Sequence, residues 1–141
     1  MSDGPRAAEA QRISKETAMI SHVSLGVRDL GRSARFYDAL LAPLGCVRSS
    51  AAKSGELAYG PDGQGIFWLY EVAGDGALAS QGTHLAFAAP DRDSLHAAAN
   101  AVRGDGCSFT REAGAHPDIG PDYYGAIFLD PDGHKIELVV E

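Results

Sequence analysis

Apolar and polar positions divide the chain into two similar runs. From Met19 to Val27 they alternate with a period of two, which predicts a strand. A helical period follows over Leu30 to Leu41, with Leu30, Ala34, Tyr37 and Leu41 on one face. Asp29 is placed to cap that helix, and Pro43 and Gly45 lie just beyond its end. Short strands are predicted at Cys46 to Ser50 and Glu56 to Tyr59, then an Asp62-Gly63 turn and a strand from Gly65 to Val72. After a Gly- and Ala-rich stretch, Val72 to Gly82, the order repeats. Thr83 to Ala89 reads as a strand. Asp91 caps a helix reaching about Arg103, with Leu95, Ala98, Ala99 and Val102 inward. Cys107 to Arg111 is a strand, Glu112 to Asp122 a long loop, and Tyr123 to Leu129 forms a hairpin with Lys135 to Val140 around Asp132-Gly133.

The two runs are a weak duplication. His22 precedes Asp29 by seven residues, as His84 precedes Asp91. Gly45-Cys46-Val47 echoes Gly106-Cys107-Ser108, and Pro61-Asp62-Gly63 echoes Pro131-Asp132-Gly133 at an offset of 70. Each half is therefore strand, helix and three strands, an α+β pattern. A half-sheet with one helix leaves one face uncovered, so two halves are expected to pair and form a concave mixed-sheet cleft. Residues 1–17 are polar and Ala-rich and read as a flexible N-terminal extension. Residues 18–141 read as one domain, with modules at about 19–72 and 83–141.

Composition adds exclusions. A chain of 141 residues with 45% hydrophobic and 22% charged positions is of ordinary globular make-up. The net charge of −7 argues against a phosphate-backbone partner, which needs a cationic footprint. No apolar run approaches the roughly 20 residues that cross a bilayer, and no signal-peptide core precedes Thr17. Cys46 and Cys107 do not make a disulfide framework. A cytoplasmic protein acting on a small molecule is expected, with no nucleic-acid or membrane partner.

The candidate chemistry lies on the repeated first strands. Side chains two apart share a strand face, so His22 is expected beside Ser24 and Gly26, and His84 beside Ala86 and Ala88. These small neighbours leave room for a ligand. Glu137 is a carboxylate in an otherwise apolar terminal strand, a costly placement unless it is paired or holds a metal. Two imidazoles and one carboxylate suit Fe(II), and similar sets hold Mn, Ni, Co or Zn, with open positions for water or substrate.

The segments Ile20-Ser21-His22-Val23-Ser24-Leu25-Gly26-Val27-Arg28-Asp29-Leu30, Ser33-Ala34-Arg35-Phe36-Tyr37, His84-Leu85-Ala86-Phe87 and Asp130-Pro131-Asp132-Gly133-His134-Lys135-Ile136-Glu137-Leu138 resemble the glyoxalase/bleomycin-resistance/dioxygenase superfamily, also called vicinal oxygen chelate proteins. The resemblance covers about residues 19 to 141. It implies two βαβββ modules, a divalent metal held by His22, His84 and Glu137, and association into a homodimer. One departure stands out. Glyoxalase I has a fourth ligand on the last strand of the first module, where the Pro-Asp-Gly offset places Phe67 and a one-residue slip would place Trp68. Neither can ligate, and Glu71 and Glu56 are poor substitutes. The set therefore fits dioxygenase-, transferase-, isomerase- or lyase-like chemistry better than glyoxalase I itself.

Around this set, Ser24, Phe67 and Trp68 are expected to line the substrate pocket. His116, in the long loop, and Tyr124 are the candidates for proton transfer at substrate, one of Tyr123 and Tyr124 having to face the cleft. His96 is expected on a solvated helix face and His134 exposed after its turn. The alternative to an enzyme is a metal-free, bleomycin-resistance-type binding protein, whose acidic charge and aromatic residues would suit a planar cation.

Overall fold

The computed structural model describes residues 19–104 and 107–141. The expected extension over residues 1–17, and Gly106 in the Gly-Cys repeat, lie outside the described residues. The first module runs β1 (Val23–Val27), α1 (Leu30–Leu41), a 3-10 turn (Ala42–Leu44), β2 (Cys46–Arg48), β3 (Glu56–Pro61) and β4 (Phe67–Glu71). The second runs β5 (His84–Ala89), α2 (Arg92–Val102), β6 (Ser108–Ala115), β7 (Tyr124–Leu129) and β8 (Lys135–Val140). Each forms a four-stranded mixed sheet, ordered β1-β4-β3-β2 and β5-β8-β7-β6, with β1 parallel to β4 and β5 parallel to β8. This is the α+β pair of βαβββ modules expected from the repeat.

Local chemistry sets the helices. The Asp29 carboxylate accepts from the Arg32 amide at 3.1 Å and Asp91 from the Ser94 amide at 2.7 Å, so both expected N-caps form. In α2 the expected inward residues Leu95, Ala98, Ala99 and Val102 are all buried. In α1 the buried face is Ser33, Phe36, Tyr37, Leu40 and Leu41, turned from the expected stripe of Leu30, Ala34, Tyr37 and Leu41. The turn follows from what α1 must cover. It lies against its own sheet and the second module at once, with the Phe36 ring 6.3 Å from that of Phe128 on β7.

The two modules share one core. Val27, Phe67 and Leu69 from the first sheet join Ala126, Phe128, Ile136 and Leu138 from the second, with both helices between them. Phe67 meets Phe87 edge to face at 5.1 Å, joining β4 to β5. The modules thus pair through their helix-covered faces. The opposite faces, carrying Ser24 and Tyr70 on one sheet and His84, Ala86 and Ala88 on the other, are open.

A polar latch crosses the module boundary at the β7–β8 turn. The Tyr37 hydroxyl donates to Asp130 Oδ2 at 2.6 Å, and Asp132 Oδ1 accepts from the Arg28 amide and the Arg32 guanidinium. His134, expected exposed, is buried there, and its Nε2–H donates to the Gly26 carbonyl at 2.7 Å. The reason is tertiary: the turn that holds His134 docks on the end of β1.

Strand ends differ from the pattern in ways that affect the site. β1 begins at Val23, so His22 lies just before the strand. β6 extends to Ala115, into the segment expected to be loop, by tolerating two register shifts against β7. Among the described residues, no helix is long and apolar enough to cross a membrane.

Candidate active site

Two hairpins with the same Pro-Asp-Gly motif turn differently, and the strand registers that follow decide which side chains face outward. In the first, Asp62 and Gly63 both have positive φ (54° and 77°), as a two-residue turn of the mirror-image type requires. In the second, only Gly133 is left-handed (φ 86°). The Gly133 amide bonds to the Asp130 carbonyl, and the Asp130 amide to the His134 carbonyl, which closes a three-residue loop. Asp130 imposes this form, because its Oδ1 accepts from the amides of Asp132 and His134 at 2.9 Å each. The residue ahead of the first motif is Gly60, which has no such side chain.

A two-residue Asp62-Gly63 turn alone would pair Ala58 with Phe67. Ile66, whose amide lies against the Tyr59 and Gln64 carbonyls, adds one residue ahead of β4, so Ala58 pairs with Trp68 and the repeat is corrected by one residue. Trp68 pairs with Ser24 across β1, and Glu137 pairs with Ala86 across β5. Trp68, not Phe67, is therefore the first-module counterpart of Glu137. Phe67, expected in the substrate pocket, faces the core at 4% exposure, with its ring 5.0 Å from that of Tyr37. Trp68 lies on the open face, where its indole N–H donates to the Gly65 carbonyl at 3.0 Å. It stacks on Tyr70 with centroids 6.1 Å apart and planes 10° from parallel.

On the second sheet, His84 Nε2 stands 3.2 Å from Glu137 Oε1. The Glu137 side chain is only 15% exposed, while that of His84 is 46% exposed. Two ligand atoms at about 2.0–2.2 Å from one metal ion lie about 3.0–3.4 Å apart, so this pair fits adjacent positions on a divalent cation. His22 does not join them within the chain. Among the described residues, no three His, Cys, Asp or Glu side chains are grouped to hold one metal. His22 is exposed, and its Nδ1 lies 2.9 Å from the Ser21 hydroxyl. Glu71 is occupied elsewhere, its Oε1 accepting from the Leu30 amide at 3.0 Å, and Glu56 accepts from the Lys53 amide at 2.9 Å.

The tyrosine pair resolves against the expected choice. β7 and β8 pair Ile127 with Glu137. A two-residue Asp132-Gly133 turn would have paired Phe128 with Glu137 and put Tyr124 on the glutamate's face. The three-residue loop puts Tyr123 there instead. Its hydroxyl donates to Glu137 Oε2 at 2.7 Å. Burial, then the bond to Glu137, pushes the Tyr123 phenol above its ordinary range, so it remains a donor at neutral pH. Tyr124 points to the helix side, where its hydroxyl and His96 Nε2 are 2.5 Å apart and Arg92 covers its ring at 4.1 Å. His96 is therefore a half-buried partner rather than a solvated side chain.

His116 comes to the same corner. Its Nε2–H donates to the Glu112 carbonyl at 2.6 Å, and its ring lies 6.0 Å from that of Tyr123. Its loop is tied down by the bidentate pair of Arg111 with Asp118, at 3.0 and 2.6 Å. His116 thus walls Tyr123. Strand parity alone could have found Tyr123, given the length of the turn.

Residues 19–138 match the family model described as the Glyoxalase/Bleomycin resistance protein/Dioxygenase superfamily. The chain is 30% identical over 125 residues to a protein of Vibrio parahaemolyticus named probable lactoylglutathione lyase, covering 85% of this chain and 88% of that one. It is 33% identical to the solved structure of a glyoxalase/bleomycin resistance protein from Albidiferax ferrireducens, with a TM-score of 0.75 over 88% of this chain and all of the other. The fosfomycin resistance protein FosX of Mesorhizobium loti, at 22% identity, shares the fold with a TM-score of 0.62 over 86% of this chain and 91% of its own.

Proposed function

The chain belongs to the glyoxalase/bleomycin resistance protein/dioxygenase superfamily, and on that footing we propose that it is a metal-dependent enzyme acting on a small, oxygen-rich molecule. The observation that carries this reading is the 3.2 Å approach of His84 Nε2 to Glu137 Oε1 on an open sheet face. Fe, Mn, Ni, Co and Zn are the candidate ions for such nitrogen and carboxylate donors. Bound there, the ion would serve as a Lewis acid toward substrate oxygens.

His84 and Glu137 hold the ion from one chain, and His22 of a second copy supplies the third ligand. A homodimer is thereby required, in which the open face of one chain's first sheet covers the open face of its partner's second sheet. Both faces are uncovered in the single chain and carry the candidate residues, which supports this pairing. Ser24 and Trp68 then line the pocket opposite the ion. The name of the Vibrio relative makes a lyase reaction the first to assay.

A subunit-mixing experiment tests the arrangement. His22→Ala and His84→Ala homodimers should each fail to bind metal. After the two are unfolded and refolded together, mixed dimers carry one intact site and one doubly impaired site, so metal binding should return. No recovery in mixed dimers would overturn the shared site.

A second reading has its own observation. The stacked Trp68–Tyr70 pair occupies the ligand position of the first module and offers a platform to a flat molecule. A metal-free binding protein would use that platform, and the net charge of −7 would favour a cation. Purified protein that neither carries nor takes up metal, yet shows Trp68 fluorescence quenched by a planar cation, would favour this reading.

A further inference from the structure

Glu137 has no polar register partner on the strands beside it. Ala86 on β5 and Ile127 on β7 are its register partners, and neither can hydrogen-bond a carboxylate through its side chain. The glutamate side chain has three rotatable bonds, so an unrestrained carboxylate could turn and offer both oxygens to one ion. The Tyr123 hydroxyl, donating to Oε2 at 2.7 Å, opposes this. It leaves Oε1 as the oxygen toward His84.

The chain makes room for that contact. Tyr123 reaches Glu137 by laying its ring over Gly125. A Cβ on Gly125 would stand 2.5 Å from the Tyr123 hydroxyl oxygen and 2.8 Å from Cζ, as well as 2.4 Å from the Leu138 carbonyl. Real Cβ atoms do not approach so closely, so glycine at this position is a condition of the tyrosine's path. On its other flank the ring meets His116, which the Glu112 carbonyl holds in place. The phenol is thus held between a glycine and an imidazole and aimed at one oxygen.

We propose that Tyr123 is a positioning residue for Glu137: by occupying Oε2 it presents Oε1 alone to the metal, so the carboxylate ligates through a single oxygen. This rests on the reading of Glu137 as a ligand. Ligands fixed by an outer partner bind more tightly, because less motion is lost on binding, and loss of such a partner typically lowers metal affinity about 10- to 100-fold. Tyr123 touches neither ion nor substrate in this role. His116 acts one step further out, by confining the ring.

The test is a titration of the full-length apo-protein with Co2+ alone, whose visible absorption reports its coordination. Four proteins are compared: the parent, Tyr123→Phe, Glu137→Gln and the double variant. Phenylalanine keeps the ring over Gly125, and thermal unfolding of each apo-protein checks that the fold is retained. Tyr123→Phe should weaken Co2+ binding about 10-fold and alter the Co2+ spectrum, as the freed carboxylate takes up a second mode. In the Glu137→Gln background the same change should cost less than about twofold, since no ligand remains to be positioned. Equal losses in both backgrounds, or a Tyr123→Phe protein with parental affinity and spectrum beside a weakened Glu137→Gln, would overturn the positioning role and leave the ligand reading standing. Parental affinity in Glu137→Gln would overturn both.

Discussion

The hydroxyl of Tyr37 and the carboxylate of Asp130, 93 positions apart in the chain, meet at 2.6 Å inside the core shared by the two modules. The bond holds α1 of the first module to the β7–β8 turn of the second. Burial raises the pKa of Asp130 above the ordinary 3.8, against the bonds from Tyr37 and from the amides of Asp132 and His134. Tyr37→Phe would leave Oδ2 in the core without its donor. The expected loss is about 1–3 kcal/mol in urea denaturation at pH 7. The sign of its pH dependence follows. With its pKa raised, Asp130 favours folding most when protonated, and that contribution is lost as pH climbs above about 3.8 through the folded value. The Tyr37 bond lowers that pKa, so its loss raises it further and penalises the ionised form, and the variant's deficit should be smaller near pH 4 than at pH 7. A deficit under about 0.5 kcal/mol at both pH values would dismiss the latch.

Phe67 and Trp68 can be told apart by introducing a carboxylate at each. Phe67→Glu places a charge among Tyr37, Tyr59 and Phe87 and should destabilise by several kcal/mol or prevent folding. Trp68→Glu places it on the open face, at the register position equivalent to Glu137. It should fold and, if the proposed shared site forms, tighten Co2+ binding by adding a fourth ligand. Titration and thermal unfolding of the two variants decide it. The expectation fails if Phe67→Glu is the one that folds and gains affinity.

His96 and Tyr124 stand on the helix side of the second sheet, away from Glu137. His96→Gln should leave metal affinity unchanged while lowering stability by about 0.5–1.5 kcal/mol, through the lost bond to the Tyr124 hydroxyl. Combining it with Tyr124→Phe should cost less than the sum of the two single changes, because both remove the same contact. Additive losses would mean that the 2.5 Å contact contributes nothing.

Asp38 offers a surface test of acid stability. Its carboxylate accepts from Arg48 at 2.9 and 2.7 Å and from the Tyr59 hydroxyl at 2.8 Å. The bonds from Arg48, ahead of the opposing effect of burial, hold it below the usual 3.8. A lowered value gives stability that is present above 3.8 and is lost as pH falls through the folded value. The pair is half exposed, at 51% and 44%, so the gain is less than about 1 kcal/mol. Asp38→Asn should be slightly less stable than the parent at pH 7, and the two unfolding midpoints should converge below pH 4. Midpoints that stay parallel down to pH 3 would assign the effect to packing.

Much was legible in the chain because it depends on neighbours in sequence. The capping carboxylates Asp29 and Asp91 act within three residues, and the inward stripe of α2 follows from its helical period. The repeat marked His84 and the apolar terminal strand marked Glu137, and the parallel pairing of β5 with β8 brought them together. What the tertiary structure decided is which of two adjacent side chains faces the site. A strand has period two, so one residue in a turn moves every following side chain to the other face. The Asp130 carboxylate, docked against Tyr37 from the other module, sets the three-residue loop that brings Tyr123, not Tyr124, to Glu137. In the first hairpin an extra residue at Ile66, ahead of β4, pairs Tyr59 with Phe67 and so puts Trp68 outward and Phe67 into the core. The burial of His134 and the separation of His22 from His84 have the same origin. Both depend on how two modules meet, and that is set by shapes assembled from distant parts of the chain rather than by any local run of residues.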